Sequence, residues 1–321
     1  MKHQICVLGG SGFVGLRVVS ALAAEGHSIR VLTRRRERHR ELLVLPTVEV
    51  IDADVHNPDD LKQHFAGQDT AINLIGILNE KRDNGKGFYH AHVELAQKVI
   101  EACKQQGVQR LLHMSALNAD AATGSSYYLR SKGEAEQRVH AAHGIKVTSF
   151  RPSVIFGPGD SFINRFADLL RLTPGVLPLA CGKSRFAPVY VGDVAQAMVR
   201  SLDNPATYGQ RYNLCGPHEY TLQQLVQYSA EVMGLKRTVI PLGKFTSLFQ
   251  ANVLQYFPGK PFSRDNYRSL QTPSVCNKGE QVLRDVFGIE PRTIEAEVPR
   301  YLINRVSRQQ YMELRRHAHR D

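Results

Sequence analysis

Two side chains in the middle of the chain, Tyr128 and Lys132, have the types and spacing needed for proton transfer to a carbonyl oxygen. Residues four positions apart project from the same face of a helix. There the lysine ammonium would stabilise a phenolate and bring the tyrosine pKa below its usual value of about 10. Ser115 ends the apolar run that begins at Leu111 and is a candidate to orient the reacting oxygen. We therefore predict that these three residues are catalytic.

A glycine-rich turn near the start of the chain offers a place for phosphate groups. It lies between the apolar run Ile5–Leu8 and a helical pattern that begins at Leu16. Glycines at such a junction let the chain turn, let its backbone approach a diphosphate, and let the helix pack closely on the strand. The helix N-terminus then presents unpaired N–H groups to the phosphates. We predict a dinucleotide-binding turn made by Gly9, Ser11, Gly12, Phe13, Val14 and Gly15.

The residues after the second predicted strand indicate which dinucleotide is bound. This strand, 28–32, ends where NAD-selective proteins place an acidic residue for the ribose 2′-hydroxyl. The chain instead has Arg34 and Arg35 there. A guanidinium can bind a 2′-phosphate, which a carboxylate would repel. NADP(H) is therefore favoured, although NAD(H) is possible and the arginines can also be plain surface charge.

The rest of the first half predicts the strands and helices that would position these groups. Strands alternate with helices, which predicts an α/β fold with a doubly wound parallel sheet of the Rossmann type. Ligands of such sheets bind beyond the carboxyl ends of the strands. Asp54 and Val55 follow the third strand, where they would meet the adenine, and Ile75 and Gly76 end the fourth strand, under the ribose. Lys132 could also hold a ribose hydroxyl.

Composition and charge narrow the possible partners. The 321 residues are 42% hydrophobic and 22% charged, and the net charge is +11. This charge suits an anionic ligand or an anionic membrane surface, but no nucleic-acid-binding motif accompanies the arginines. The five cysteines are scattered singly, so we predict no disulfide framework, no metal site and a reducing compartment. Without a signal peptide or a bilayer-length apolar run, we expect a cytoplasmic protein, with a peripheral position at the inner face of a membrane as the alternative.

Taken together, these motifs resemble the extended and atypical short-chain dehydrogenase/reductase superfamily over nearly the whole chain. Four segments are more specifically similar to the NADPH-binding accessory subunit of respiratory complex I and its bacterial relatives: 128–132, 150–158, 188–195 and 261–265. The resemblance implies that Pro152 and Ser153 lie near the nicotinamide. It implies an oxidoreductase or epimerase-like enzyme acting on a carbonyl compound or nucleotide sugar, or alternatively a subunit that binds NADPH without turnover and docks to a membrane complex.

One departure from the superfamily pattern bears on activity. Active extended members usually have a serine or threonine one residue beyond Ser115, and this chain has Ala116 there. A methyl group cannot donate a hydrogen bond to the substrate oxygen, and losing such a donor can cost several kcal/mol of barrier. Ser125 or Ser126 could substitute. The cofactor site is therefore better supported by the sequence than the catalytic site.

The resemblance also implies two domains. Residues 1–156 and 186–217 would bind the dinucleotide, and residues 157–185 and 218–321 would form a smaller C-terminal α/β domain for the substrate or partner. Four cations could bind an anionic substrate or simply be surface charge: Arg151, Arg165, Lys183 and Arg185. The apolar segment 245–257 has helical spacing and is expected in the core of the second domain, with a surface that touches lipid or a partner subunit as the alternative.

Overall fold

The computed structural model describes residues 2–257, 260–277 and 279–303, and a seven-stranded sheet lies at its centre. The strands of the described chain, in this sheet and in three two-stranded sheets, are β1 (Gln4–Leu8), β2 (Ser28–Thr33), β3 (Val48–Asp52), β4 (Thr70–Asn73), β5 (Arg110–Met114), β6 (Lys146–Pro152), β7 (Ile155–Phe156), β8 (Val176–Leu179), β9 (Arg185–Phe186), β10 (Val189–Tyr190), β11 (Arg211–Leu214), β12 (Tyr220–Thr221) and β13 (Thr238–Pro241). The sheet order is β11-β6-β5-β4-β1-β2-β3, with every neighbouring pair parallel.

The described chain forms helices that cover both faces of this sheet or belong to a smaller unit beside it. They are α1 (Phe13–Ala24), α2 (Arg40–Leu43), α3 (Pro58–Phe65), α4 (Leu95–Gln106), α5 (Tyr127–His140), α6 (Ile163–Leu172), α7 (Val191–Arg200), α8 (Leu222–Val232), α9 (Lys244–Leu254), α10 (Arg264–Ser269), α11 (Gly279–Asp285) and α12 (294–303). A π-helical turn, Tyr89–Glu94, leads into α4. In β1, Ile5 and Val7 pack into one core and Cys6 and Leu8 into the other. Alternate residues thus face opposite sides, and the predicted doubly wound parallel sheet is confirmed.

A smaller α/β unit packs beside the carboxyl ends of the strands. Its core joins α6 and α8 to the two-stranded parallel sheet of β8 and β13. Thr221 caps α8 in a capping box with Gln224. Phe13 and Val14 of the glycine turn pack against this core, so the two units meet at the turn.

The end of the described chain returns to the large sheet. Leu283, Phe287 and Ile289 belong to the core that covers one sheet face, and the Phe287 ring contacts those of Phe150 and Tyr212. The domain boundaries predicted from the sequence assign all of 218–321 to the second domain. Within that range, the apolar side chains of the segment around α11 pack on β6 and β11 of the large sheet.

The expectation that segment 245–257 lies in the core is wrong. Phe245 is 92% exposed and Phe249 is 70% exposed. Helix α9 packs on the protein through the small residues Ser247 and Ala251, which are almost fully buried. Helical periodicity identifies an apolar face but cannot say whether that face turns inward. Within the described ranges, no helix combines the length and apolar character needed to cross a bilayer.

The prediction of unpaired cysteines is wrong for two of the five. Cys215 and Cys276 form a disulfide, although 61 positions separate them in sequence. Cys215 directly follows β11, and the segment carrying Cys276 runs over the ends of β6 and β11, which brings the two Cα atoms to 6.1 Å. Spacing cannot reveal this pairing, because tertiary structure creates it. The argument for a reducing compartment now rests only on Cys6, Cys103 and Cys181, which are buried thiols.

Candidate functional site

The glycine turn forms an open cradle at the start of α1. A Cβ on Gly15 would lie 2.1 Å from the Gly9 carbonyl oxygen, so close packing of the helix on the turn requires glycine there. Gly9 has φ +77°, which favours glycine. A Cβ on Gly12 would meet only the Gly9 oxygen, at 3.3 Å, so its outer side is open. No side chain caps α1, and its first turn has no acidic residue. Its N–H groups therefore suit a diphosphate.

Both predicted arginines extend from the carboxyl end of β2 into solvent. Arg34 and Arg35 are exposed, and within the described part of the chain neither guanidinium has a recorded ion pair or hydrogen bond. Ser11 approaches the same strand end, with its hydroxyl 3.4 Å from that of Thr33. The cradle and the two unpaired guanidinium groups thus belong to one edge of the sheet, which fits a dinucleotide carrying a 2′-phosphate.

The ends of β3 and β4 border the same edge. Asp54 is exposed, and one of its carboxylate oxygens accepts the His56 N–H at 2.9 Å, so it also stabilises its own turn. Val55 is buried beside it. β4 ends at Asn73, three residues earlier than predicted, and the chain then turns along the glycine loop: a Cβ on Gly9 would lie 3.2 Å from Ile75 Cγ1. Ile75 and the glycine turn are therefore in direct contact.

Lys132 reaches this turn from α5. Its Nζ donates to the Met114 carbonyl at 2.9 Å and lies 3.5 Å from the Ile75 carbonyl oxygen. A Cβ on Gly76 would be only 3.0 Å from Nζ, so Gly76 leaves room for the ammonium. Burial lowers the Lys132 pKa to about 8, since the charged form is poorly solvated there. Lys132 thus connects the cofactor edge with the tyrosine helix.

The sequence prediction missed His92, which lies in the π-helical turn. The buried His92 Nε2 accepts the Ile77 N–H at 3.1 Å, so its proton is on Nδ1 and is donated to Ser131 Oγ at 2.8 Å. Ser131 in turn donates to the Tyr128 carbonyl. Burial lowers the His92 pKa to about 2, so the ring is neutral. It packs edge-on against the Tyr128 ring. π-helical turns are frequent at functional sites, but the sequence gives no reliable sign of one.

The carboxylate of Asp265, which the sequence analysis did not select, bonds to the backbone beside Tyr128. Asp265 Oδ1 accepts the Tyr127 N–H at 2.7 Å, and Oδ2 accepts the Tyr128 N–H at 3.2 Å. This side chain therefore caps the N-terminus of α5 from α10. Burial and then the Asp265 charge raise the Tyr128 pKa to about 12. The expectation that Lys132 lowers this pKa is wrong for the structure as it stands, because Lys132 bonds to carbonyls and burial dominates.

The two residues after β5 face different neighbours. Ala116 packs in a small apolar cluster with Ala119, Leu129 and the Tyr128 ring, so a methyl group lies beside the phenol. Ser115 is buried near Glu136, and in the described chain its hydroxyl has no recorded hydrogen-bond partner. The departure noted in the sequence therefore falls directly beside Tyr128. Ser115 is near this helix, but on its Glu136 side.

A segment we call the strap, residues 260–276, covers this side of the site. Lys260 donates to the carbonyls of Glu80 and Lys81 at 2.7 Å, and Cys276 is tied to Cys215. Ser153 donates to the Ser274 carbonyl at 2.6 Å, so its hydroxyl is already bonded to the strap. Pro152 is buried beside it at the end of β6. The candidate substitutes for a catalytic serine are also engaged: Ser125 with Thr272, and Ser126 with Leu129 N–H and Ser269.

Three of the four cations considered for an anionic substrate have internal partners. Arg151 pairs with Glu136, and Arg185 pairs with Glu219. Arg165 donates to the Pro261 carbonyl at 3.1 Å. Lys183 is exposed. Of these four, Lys183 and Arg165 therefore fit binding of an anionic substrate, since in the described chain neither has a recorded ion pair.

Comparison with known proteins gives a consistent picture. A family model described as "NAD dependent epimerase/dehydratase family" matches residues 5–215. The chain is 29% identical over 297 residues to NADH dehydrogenase (ubiquinone) 1 alpha subcomplex subunit 9, mitochondrial, of Mus musculus, covering 90% of this chain and 77% of that protein. It is 31% identical over 244 residues to the ceramide reductase of Caulobacter vibrioides, covering 75% and 74%.

Solved structures agree on the fold. A double mutant of DesIV, a dTDP-glucose 4,6-dehydratase from Streptomyces venezuelae solved with NAD and DAU bound, superposes with a TM-score of 0.72. The match covers 95% of this chain and 96% of that one at 19% sequence identity. At this identity the likeness establishes the architecture alone.

Proposed function

Because the chain belongs to the NAD dependent epimerase/dehydratase family, we propose that it binds NADP(H) in preference to NAD(H) and reduces a carbonyl compound or nucleotide sugar, or oxidises the corresponding alcohol. The observation that carries the cofactor proposal is the uncapped start of α1 beside Gly12, with the unpaired Arg34 and Arg35 at the next strand end. The diphosphate would lie against Gly9, Ser11, Gly12, Phe13, Val14 and Gly15. Asp54 and Val55 would border the adenine.

The test of cofactor choice is a titration of the purified protein with NADPH and with NADH. We expect NADPH to bind more tightly by at least tenfold, about 1.4 kcal/mol. The double variant R34E/R35E should lose this preference, because carboxylates repel the 2′-phosphate. R38E, which changes an exposed arginine a few residues away, is the matched control. Equal affinity of the unaltered protein for both dinucleotides would contradict the preference.

In the proposed reaction, Tyr128 gives a proton to the substrate oxygen or takes one from it. Lys132 would hold the nicotinamide ribose near Ile75 and Gly76, and its charge would favour the phenolate once it leaves the backbone carbonyls. Pro152 and Ser153 border the nicotinamide, and Ser115 orients the reacting group from the Glu136 side. The bound dinucleotide supplies or accepts hydride. The similarity to a ceramide reductase supports a lipophilic carbonyl substrate.

A second function, a non-catalytic accessory or assembly subunit of a membrane respiratory complex, is favoured by a different observation. A methyl group, Ala116, lies beside Tyr128, and the phenol pKa is raised to about 12. Both features oppose turnover. The similarity to a complex I subunit supports this alternative. A cytoplasmic location, peripheral at the inner face of a membrane, would suit either function.

The variant Y128F separates the two functions. An enzyme should lose NADPH-dependent turnover of a panel of lipophilic ketones and nucleotide sugars by about 100-fold or more. An accessory subunit should show no turnover before the substitution, and Y128F should restore assembly of the respiratory complex in a deletion strain as well as the unaltered chain does. NADPH affinity measured in parallel shows whether the variant is intact.

A further inference from the structure

Helix α9 presents an apolar face to solvent that the rest of the described chain leaves uncovered. Phe245, Phe249 and Tyr256 are 92%, 70% and 82% exposed. Leu248 and Val253 lie on the same stripe, with the spacing of one helix face. Exposed aromatic side chains grouped in this way usually mark a contact surface in proteins.

The packing of α9 shows that this face is not an incompletely buried core. An amphipathic helix normally buries its large apolar residues and exposes its small and polar ones. Here the buried residues are Ser247 and Ala251, and Ser247 Oγ accepts the Cys181 N–H at 3.0 Å. A hydroxyl and a methyl group hold the helix on the protein while the aromatic rings point away from it.

The adjoining sheet extends the same surface. Strands β8 and β13 each hide alternate residues, Leu177 and Val239 among them, and turn Val176 and Ile240 to solvent, 48% and 47% exposed. The Leu242 N–H donates to the Leu179 carbonyl at 2.8 Å, which fixes the start of α9 against this sheet. We call the α9 stripe together with Val176 and Ile240 the apolar face.

The segment that carries α9 has charges of one sign only. Between residues 232 and 264 the sequence contains no Asp or Glu and has five cations: Lys236, Arg237, Lys244, Lys260 and Arg264. The partners recorded for three of them are uncharged oxygens: Leu170 O for Arg237, Asn252 Oδ1 for Arg264, and the backbone carbonyls that bind Lys260. In the described chain no carboxylate is recorded as neutralising any of the five.

We propose that the apolar face docks on a bilayer rich in anionic phospholipid. The rings of Phe245, Phe249 and Tyr256 would lie at the boundary between headgroups and acyl chains, where aromatic side chains are favoured. The surrounding lysines and arginines would face the anionic headgroups. An apolar stripe on a segment whose charges are all positive matches this surface well, because its aromatic rings and its cations would meet the acyl chains and the anionic headgroups together.

This surface is connected to the candidate site by short steps. Arg264 of α10 bonds to Asn252 of α9, and its neighbour Asp265 caps the tyrosine helix α5. A bilayer at the apolar face would therefore lie next to the strap that covers Tyr128. The inference goes beyond the proposed function, since docking would occur whether or not the protein turns over a substrate.

Vesicle flotation tests the proposal with two lipid compositions. We expect the full chain to float with vesicles of equimolar phosphatidylcholine and phosphatidylglycerol, at least about tenfold more tightly than with phosphatidylcholine alone. Added salt should weaken the binding, because screening reduces attraction to the headgroups. Absence of binding to the anionic vesicles, or equal binding to both compositions, would overturn the proposal.

Variants locate the contact. F245S/F249S should lose most of the binding to anionic vesicles, whereas V44S, at a side chain 77% exposed far along the chain, should keep it. K236A/K244A should bind less tightly and with a weaker salt dependence. NADPH titration of each variant checks the fold and keeps failure of docking distinct from failure of the cofactor proposal. If F245S/F249S binds vesicles normally, or instead abolishes only self-association, the apolar face does not dock on lipid.

Discussion

The two halves of the candidate site are built in different ways. On the glycine side, the backbone itself forms the cradle, and the groups beside it are unpaired in the described chain: the uncapped start of α1, the open flank of Gly12, and the guanidinium groups of Arg34 and Arg35. On the tyrosine side, Lys132 and the backbone N–H groups at the start of α5 already have protein partners. Lys132 bonds to two carbonyls, and Asp265 holds the backbone beside Tyr128.

This difference separates binding from turnover. A preformed cradle binds a dinucleotide with little rearrangement, because its donors are oriented before the ligand arrives. The tyrosine side must exchange internal contacts for cofactor contacts before Lys132 can favour the phenolate. We therefore expect substitutions on the glycine side to change cofactor affinity and folding, and substitutions on the tyrosine side to change proton affinities.

The largest effect is expected for G15A. The new Cβ would lie 2.1 Å from the Gly9 oxygen and 2.6 Å from the Gly10 Cα, and backbone atoms cannot move aside as a side chain can. We expect the free energy of unfolding to fall by about 3 kcal/mol or more, with loss of NADPH binding. Denaturant unfolding and NADPH titration measure the two effects.

The matched control is G12A in the same turn. A Cβ there meets only one atom, at 3.3 Å, and the φ of −82° is allowed for alanine. The protein should therefore keep its stability while the methyl group obstructs the diphosphate and weakens NADPH binding. If G15A were as stable as the unaltered protein, α1 would not pack on the turn as closely as the structure shows.

The glycine side was also the more predictable half, for a physical reason. Its chemistry depends on local features, glycines between a strand and a helix and arginines at a strand end, which sequence spacing records directly. His92 and Asp265 act through a π-helical turn and through a cap from 137 positions away on the chain. The Cys215–Cys276 bond and the outward face of α9 are likewise set by which surfaces tertiary packing brings together, and spacing contains no information on that.

Removing the disulfide tests how firmly the strap is held. C276S should unfold at a lower denaturant concentration, with a loss of about 2–4 kcal/mol that the unaltered protein should reproduce under reducing conditions. NADPH affinity should change little, because the strap does not contribute to the glycine turn that would hold the diphosphate. Equal stability of C276S and the oxidised protein would mean that contacts such as Ser153–Ser274 fix the strap without the bond.

The buried lysine gives the tyrosine side a dependence on pH. The folded-state pKa of Lys132 is lowered to about 8 from an ordinary 10.5, so folding favours the neutral amine. The protein should therefore gain stability as pH rises from about 8 to above 10, and lose it again as pH falls back to about 8, with a change of about 3 kcal/mol.

K132M should remove this part of the pH profile, since its side chain does not titrate, and it should weaken NADPH binding. K104M, at an exposed lysine on α4, is the control that should keep the full profile. Stability measured by denaturant unfolding near both ends of this pH range decides between them. Parallel profiles for K132M and the unaltered protein would show that Lys132 is better solvated than its buried position indicates.

The smallest expected change, in D265N, is the most informative about turnover. Burial and then the Asp265 charge raise the Tyr128 pKa to about 12. An asparagine still accepts one N–H bond at the start of α5 but carries no charge, so the phenol pKa should fall by about one unit, about 1.4 kcal/mol, and stay above its ordinary value because burial remains.

The absorbance titration of D265N minus that of D265N/Y128F isolates this phenol, and D59N controls for the loss of a distant negative charge. An unchanged midpoint would show that the Asp265 charge does not raise the Tyr128 pKa. A lower midpoint accompanied by faster carbonyl reduction would show that the chain holds its own tyrosine protonated, and that the difference between the two halves lies in this carboxylate rather than in Ala116.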